Sequence, residues 1–174
     1  MKRSSIPNAI SVLRILGTAA LLFVEPFTPV FFILYSICGL TDVLDGVIAR
    51  ATNSTSELGA KLDSAADLLF YAVMLIRILP VLWERLPRSI WLIVGAAVLI
   101  RVVSYSYVAV RYHRFSSLHT PFNKLTGLMV FATPYFISLP QPLATPCCFA
   151  VAITAVLSSA QELALHLKKR TYAS

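Results

Sequence analysis

The sequence predicts an all-α fold, an integral membrane bundle of six transmembrane helices with both termini on the cytoplasmic side. Three observations lead there. Of the 174 residues, 57% are hydrophobic and 13% charged, and the mean hydropathy is +0.76; soluble domains carry about a quarter charged residues. The apolar residues gather into six segments, roughly 8–24, 28–50, 58–79, 89–110, 121–138 and 143–165, close to the ~20 helical residues that a bilayer core requires. Lys and Arg then fall unevenly on alternate sides. One side receives Lys2, Arg3, Arg50, Lys61, Arg111, Arg114 and the tail Lys168-Lys169-Arg170, the other only Arg85 and Arg88, which assigns the richer side to the cytoplasm. The length fits a single domain, 1–174, in a cell membrane.

The first segment, within MKRSSIPNAISVLRILG, has the positive start of a signal peptide. Pro7, Asn8 and Arg14 interrupt it and further spans follow, so it is expected to stay as a span. Glu25-Pro26 separates it from the second. Asn53, Ser54, Thr55 and Ser56 are turn and cap formers, and Ser54 through Glu57 reads as the entry to a third helix. Pro80 through Pro87, Arg111 through Pro121 and Pro140 through Pro142 mark the remaining breaks.

The three cysteines, Cys38, Cys147 and Cys148, sit in apolar runs without ligand spacing and read as small buried hydrophobes. His113, His119 and His166 lie near span ends and read as interfacial, and Tyr105 and Tyr107 as packing. A net charge of +7 is spread among apolar segments and forms no nucleic-acid motif. Anionic lipid and phosphorylated substrates are the expected partners, not nucleic acid.

Chemistry concentrates between Asp42 and Asp67. Asp42, Asp45, Asp63 and Asp67 are half of the chain's eight acidic residues, and a carboxylate at membrane depth is a functional candidate by default. Residues three or four apart share a helix face, so Asp42 with Asp45, and Asp63 with Asp67, form two pairs. The turn at 53–56 folds the helices into a hairpin in which the pairs can face one another. Four converging carboxylates are balanced by two divalent cations. An all-oxygen set favours Mg2+ or Mn2+ over zinc. Arg14, Arg77, Arg101 and Lys124 also fall within spans; they either snorkel to the interface or, with Arg111 and Arg114, line a cationic cavity for a phosphorylated substrate.

The stretch fits D-x2-D-G-x2-A-R-x8-G-x3-D-x3-D through Asp42, Asp45, Gly46, Ala49, Arg50, Gly59, Asp63 and Asp67. Such a match arises by chance on the order of once in a billion windows. It resembles the signature of the CDP-alcohol phosphotransferases, membrane enzymes of phospholipid synthesis. Upstream, Pro7-Asn8-Ala9-Ile10-Ser11 and Arg14 are similar to the P-N-x-[IL]-[TS]-x2-R start of many bacterial members.

The resemblance implies transfer of a phosphatidyl group from CDP-diacylglycerol to an alcohol, with release of CMP, by a homodimer. It implies that Asp42, Asp45, Asp63 and Asp67 bind the two metals and that Asp67 is also the general base. Pro7, Asn8, Gly46, Ala49, Arg50, Ser56 and Gly59 are implied at the CDP-lipid. Arg101, Arg111 and Lys124 are spaced rather like the acceptor-side basic residues of bacterial phosphatidylglycerophosphate synthases, which makes glycerol 3-phosphate the expected acceptor. Val102 and Asn123-Lys124-Leu125-Thr126 depart from that subgroup's pattern, so cardiolipin, phosphatidylserine and phosphatidylinositol-phosphate synthesis stand behind it. A membrane prenyltransferase and a divalent-cation transporter are the rival classes.

Overall fold

The computed structural model describes the backbone of residues 5–52, 57–112 and 120–168 and the side chains of residues 9–41, 59, 61–111 and 120–168. Six α-helices follow one another: α1 Ser5–Ala20, α2 Pro29–Thr52, α3 Glu57–Arg85, α4 Arg88–Tyr112, α5 Pro121–Ile137 and α6 Gln141–Lys168. No strand occurs among the described residues. Three helices are long and apolar enough to cross a membrane, over Lys61–Arg85, Arg88–Arg111 and Gln141–Lys168. Shorter apolar stretches occupy Ala9–Ala20 and Pro29–Thr41. The chain packs as two compact units, Met1–Glu84 and Arg85–Ser174.

The helix ends follow local chemistry. Thr28 caps α2: its hydroxyl accepts from the Phe31 amide at 3.3 Å, and Pro29 follows, where a missing N–H costs nothing. Phe27, just before it, adopts the left-handed backbone region with φ 66°. Thr120 caps α5 in the same way, accepting from the Asn123 amide at 3.1 Å with Pro121 next in sequence.

Two expected boundaries differ. The first segment is helical only to Ala20, and Leu22 and Phe23 then close tight turns onto the Ala19 and Ala20 carbonyls. More notably, α3 continues through Pro80 to Arg85, and the break falls at Leu86-Pro87. Pro80 removes one backbone donor, a loss that apolar spanning helices tolerate where neighbouring groups re-satisfy the freed carbonyl. Pro134 and Pro146 likewise sit inside α5 and α6.

In the first unit, α1 turns a polar stripe inward. Ser11, Arg14 and Thr18 are buried, whereas Val12, Leu13 and Leu16 are exposed. This reversal of the soluble pattern suits a helix whose outside is lipid and whose inside is bundle. α1 packs against α2 at Gly17, where an added Cβ would meet Cys38 Sγ at 3.0 Å. α2 meets α3 through Tyr35 and Phe70, stacked with ring centroids 5.5 Å apart, and Tyr35 also stacks on Phe31 at 5.9 Å. Cys38 and Cys148 are buried and all three cysteines are free thiols.

In the second unit, α6 packs against both α4 and α5. Its buried face carries Ala144, Cys148, Val151, Ala152, Ser158, Ser159, Glu162 and His166. Leu92, Leu99 and Val110 of α4 and Leu128 of α5 are exposed. The outward face is therefore apolar and the inward face small or polar, as in α1.

Candidate active site

Asp63 and Asp67 stand one turn apart in the first half of α3 and project to one face. Arg14 establishes this, because a single guanidinium nitrogen reaches both. Its Nη2 donates to Asp63 Oδ1 and lies 3.3 Å from Asp67 Oδ1, with the Asp63 backbone carbonyl at 3.4 Å. The burial is unequal. The Arg14 side chain is 1% exposed, whereas those of Asp63 and Asp67 are 44% and 42% exposed. The cation lies behind the carboxylates, which keep an open side. Such an all-oxygen, half-exposed pair fits a hard divalent ion.

The other half of the expected cage falls elsewhere. Asp42, Asp45, Gly46, Ala49 and Arg50 lie on α2, but their side chains are outside the described residues, as are those of Pro7 and Asn8. Ser56, Arg114, His113 and His119 are outside them too. Gly59 sits in the first turn of α3, partly buried. Among the described residues no group of three or more His, Cys, Asp or Glu gathers as a metal set. Arg77 has a local role: its Nη2 donates to the Val24 carbonyl at 2.6 Å, tying α3 to the connection after α1.

A second polar cluster lies within the second unit. Arg101 of α4 donates through Nη2 to Asn123 Oδ1 at 2.8 Å and lies 3.5 Å from Ser158 Oγ and 3.6 Å from Glu162 Oε2. Ser158 also donates to Asn123 Oδ1, and Asn123 Nδ2 donates to Glu162 Oε2 at 3.3 Å. His166, one turn beyond Glu162, places Nε2 3.8 Å from Glu162 Oε1. Both Glu162 and His166 are fully buried, so His166 is not the interfacial residue its position near a span end suggests. Arg101 is thus brought together with the Asn123 amide and with Glu162, a carboxylate outside the expected site. Arg111 and Lys124 are exposed. Arg111 lies about 15 Å further along the helix axis than Arg101, at 1.5 Å per residue.

Glu162 was open to detection. It is an acid inside an apolar segment with Ser158 and His166 four residues to either side, the same grounds that single out the four aspartates.

Comparison with known proteins decides the family. The profile described as CDP-alcohol phosphatidyltransferase matches residues 4–164. The chain belongs to the CDP-alcohol phosphatidyltransferase family. It is 37% identical over 101 residues to the CDP-diacylglycerol--glycerol-3-phosphate 3-phosphatidyltransferase of Pseudomonas fluorescens, covering 55% of this chain and 49% of that one. It is 44% identical over 63 residues to the CDP-diacylglycerol--inositol 3-phosphatidyltransferase of Saccharomyces cerevisiae, covering 36% and 29%. It is 32% identical over 121 residues to the Homo sapiens cardiolipin synthase (CMP-forming), covering 67% and 38%. The stretches matched are therefore half or less of these relatives' lengths. No solved structure matches the chain. In this member of the family, the match runs through both compact units and includes α1, the Asp63–Asp67 pair, Arg101 and Glu162, with His166 just beyond it.

Proposed function

We propose that the chain transfers a phosphatidyl group from CDP-diacylglycerol to glycerol 3-phosphate, releasing CMP, with the active site at the cytoplasmic face of a six-span bundle whose termini are both cytoplasmic. The single observation that carries this is the Asp63–Asp67 pair, ordered on one face of α3 and partly open, within a chain of this family. Two units are taken to act as one domain, since the family match crosses both, and homodimers in a cell membrane are the expected assembly.

Register supports the completion of the cage. Tyr35 and Phe70 stack between α2 and α3, and Asp42 and Asp63 each lie seven residues, two helical turns, from them toward the 53–56 connection. Antiparallel helices paired at 35 and 70 bring 42 and 63 to the same level. On this reading Asp42, Asp45, Asp63 and Asp67 hold two Mg2+ or Mn2+ ions. Bound there, two divalent cations neutralise the pyrophosphate and improve CMP as a leaving group.

The chain's own residues then divide the work. Arg50 offers a planar donor fork to phosphate. Gly46 and Gly59 leave room for the nucleotide to approach the helices, while Pro7, Asn8, Ala49 and Ser56 complete the CDP-lipid contacts. Asp67 accepts the proton of the acceptor hydroxyl. As the acceptor oxygen bonds to the phosphorus bearing the lipid, the bond from that phosphorus to CMP breaks. Arg101, Arg111 and Lys124 are assigned to the acceptor's phosphate.

The test is an acceptor panel. Purified protein is incubated with CDP-diacylglycerol and Mn2+ or Mg2+, and CMP is measured on adding glycerol 3-phosphate, serine, inositol phosphate or phosphatidylglycerol. Glycerol 3-phosphate is expected to release CMP. Release with another acceptor alone reassigns the substrate, and release with none removes the transferase reading.

A further inference from the structure

We propose that Arg14 is a built-in cation of the aspartate site, a positioning residue that holds Asp63 and Asp67 in their binding geometry before any metal arrives. This rests on the reading of these aspartates as metal ligands.

The argument begins with where Arg14 stands. It is in the middle of α1, on the inward stripe with Ser11 and Thr18, and it is 2% exposed. A guanidinium so placed is expensive unless paired. Its pairing is not to one acid but to two: the same Nη2 contacts Oδ1 of both Asp63 and Asp67. It also lies near the Asp63 main-chain carbonyl, at 3.4 Å, so it registers the α3 backbone as well as the side chains.

The second step concerns direction. Two carboxylates one turn apart on an apolar helix repel each other and, without a cation, swing apart toward water. Arg14 opposes that from the bundle side, while both carboxylates keep over two fifths of their side-chain surface exposed. The open side is where an external ion enters. Arg14 and such an ion therefore occupy opposite sides of the same pair, and orientation from behind is how groups outside a ligand shell support those within it. With a positive charge in place, the metal-free chain is expected to keep its fold, and metal binding to reorganise little.

The experiment is thermal unfolding of the full-length protein in mixed micelles, in EDTA and then with Mn2+. For Arg14→Gln the midpoint in EDTA is expected to fall by on the order of 10 °C, and Mn2+ to raise it less than it raises wild type, because the carboxylates must first be brought together. Arg14→Lys keeps the charge and is expected to restore most of the loss. If Arg14→Gln cannot be purified, Arg14→Gln/Asp67→Asn replaces it, because relieving the repulsion is expected to recover folding in EDTA. A wild-type midpoint in EDTA for Arg14→Gln, an Mn2+ shift in it no smaller than that of wild type, or a double variant that still fails to fold would overturn the proposal. If no protein responds to Mn2+ at all, the metal reading of the aspartates fails; the EDTA midpoints still judge Arg14.

Discussion

Tyr35 of α2 and Phe70 of α3 stack with ring centroids 5.5 Å apart and planes 23° from parallel. This contact joins the two helices that carry all four aspartates, two helical turns from Asp42 on one and from Asp63 on the other. If it sets their register, the two rings are energetically coupled. We predict a coupling of about 0.5–1.5 kcal/mol in a double-mutant cycle of Tyr35→Ala and Phe70→Ala, read by unfolding in mixed micelles. Additive effects would mean that register is set elsewhere.

Asp67 is assigned the proton transfer, and its amide analogue keeps the shape while losing the base. Asp67→Asn is predicted to lower turnover by about 10²–10⁴-fold, with binding of CDP-diacylglycerol largely kept. Rate and lipid binding are measured on the same preparation. A near-normal rate would remove Asp67 from the proton transfer.

Arg111 and Lys124 are exposed and carry no structural task as evident as that of Arg101. Lys124→Ala and Arg111→Ala are therefore predicted to raise the KM for glycerol 3-phosphate more than the KM for CDP-diacylglycerol. Steady-state kinetics with each substrate varied in turn decides this. Equal effects on both would dissolve the assignment to the acceptor.

Glu162 is fully buried and 3.6 Å from Arg101. Removing the acid leaves Arg101, whose side chain is 34% exposed, with Asn123 and Ser158 as partners, at a cost of about 1–3 kcal/mol, whereas replacing both members of such a pair by apolar residues is often neutral. Glu162→Leu is predicted to destabilise the protein by that amount and Arg101→Met/Glu162→Leu to recover most of it, by equilibrium unfolding. A double variant no better than the single would show that Glu162 serves His166 or Asn123 instead.

Much of this was legible in the sequence because membrane segments write their fold in composition. The end of α2 at Thr52 and the start of α3 at Glu57 show in the cap and turn formers between them, which lie outside the described residues, and the pairing of Asp63 with Asp67 shows in their spacing of four. Pro80 misled, because an apolar spanning helix can accommodate a proline where neighbouring groups re-satisfy the carbonyl that it frees. Gly17 shows nothing in sequence of its close approach to Cys38. Arg14 and Glu162 were visible as charges in apolar runs, but which acid met which base depends on helix packing. A period of 3.6 residues gives the face, not the neighbour. The partners of Asp63 and Arg101 are 49 and 22 residues away, beyond any local pattern.

The most direct test of the central claim counts ions. Purified protein with saturating CDP-diacylglycerol is titrated with Mn2+, and bound metal is read by electron paramagnetic resonance, for wild type, Asp42→Asn and Asp63→Asn. The account predicts two Mn2+ per chain in the wild type and fewer in each variant, since one acid from α2 and one from α3 are both needed. No bound Mn2+ in the wild type, or a count that either substitution leaves unchanged, would contradict it.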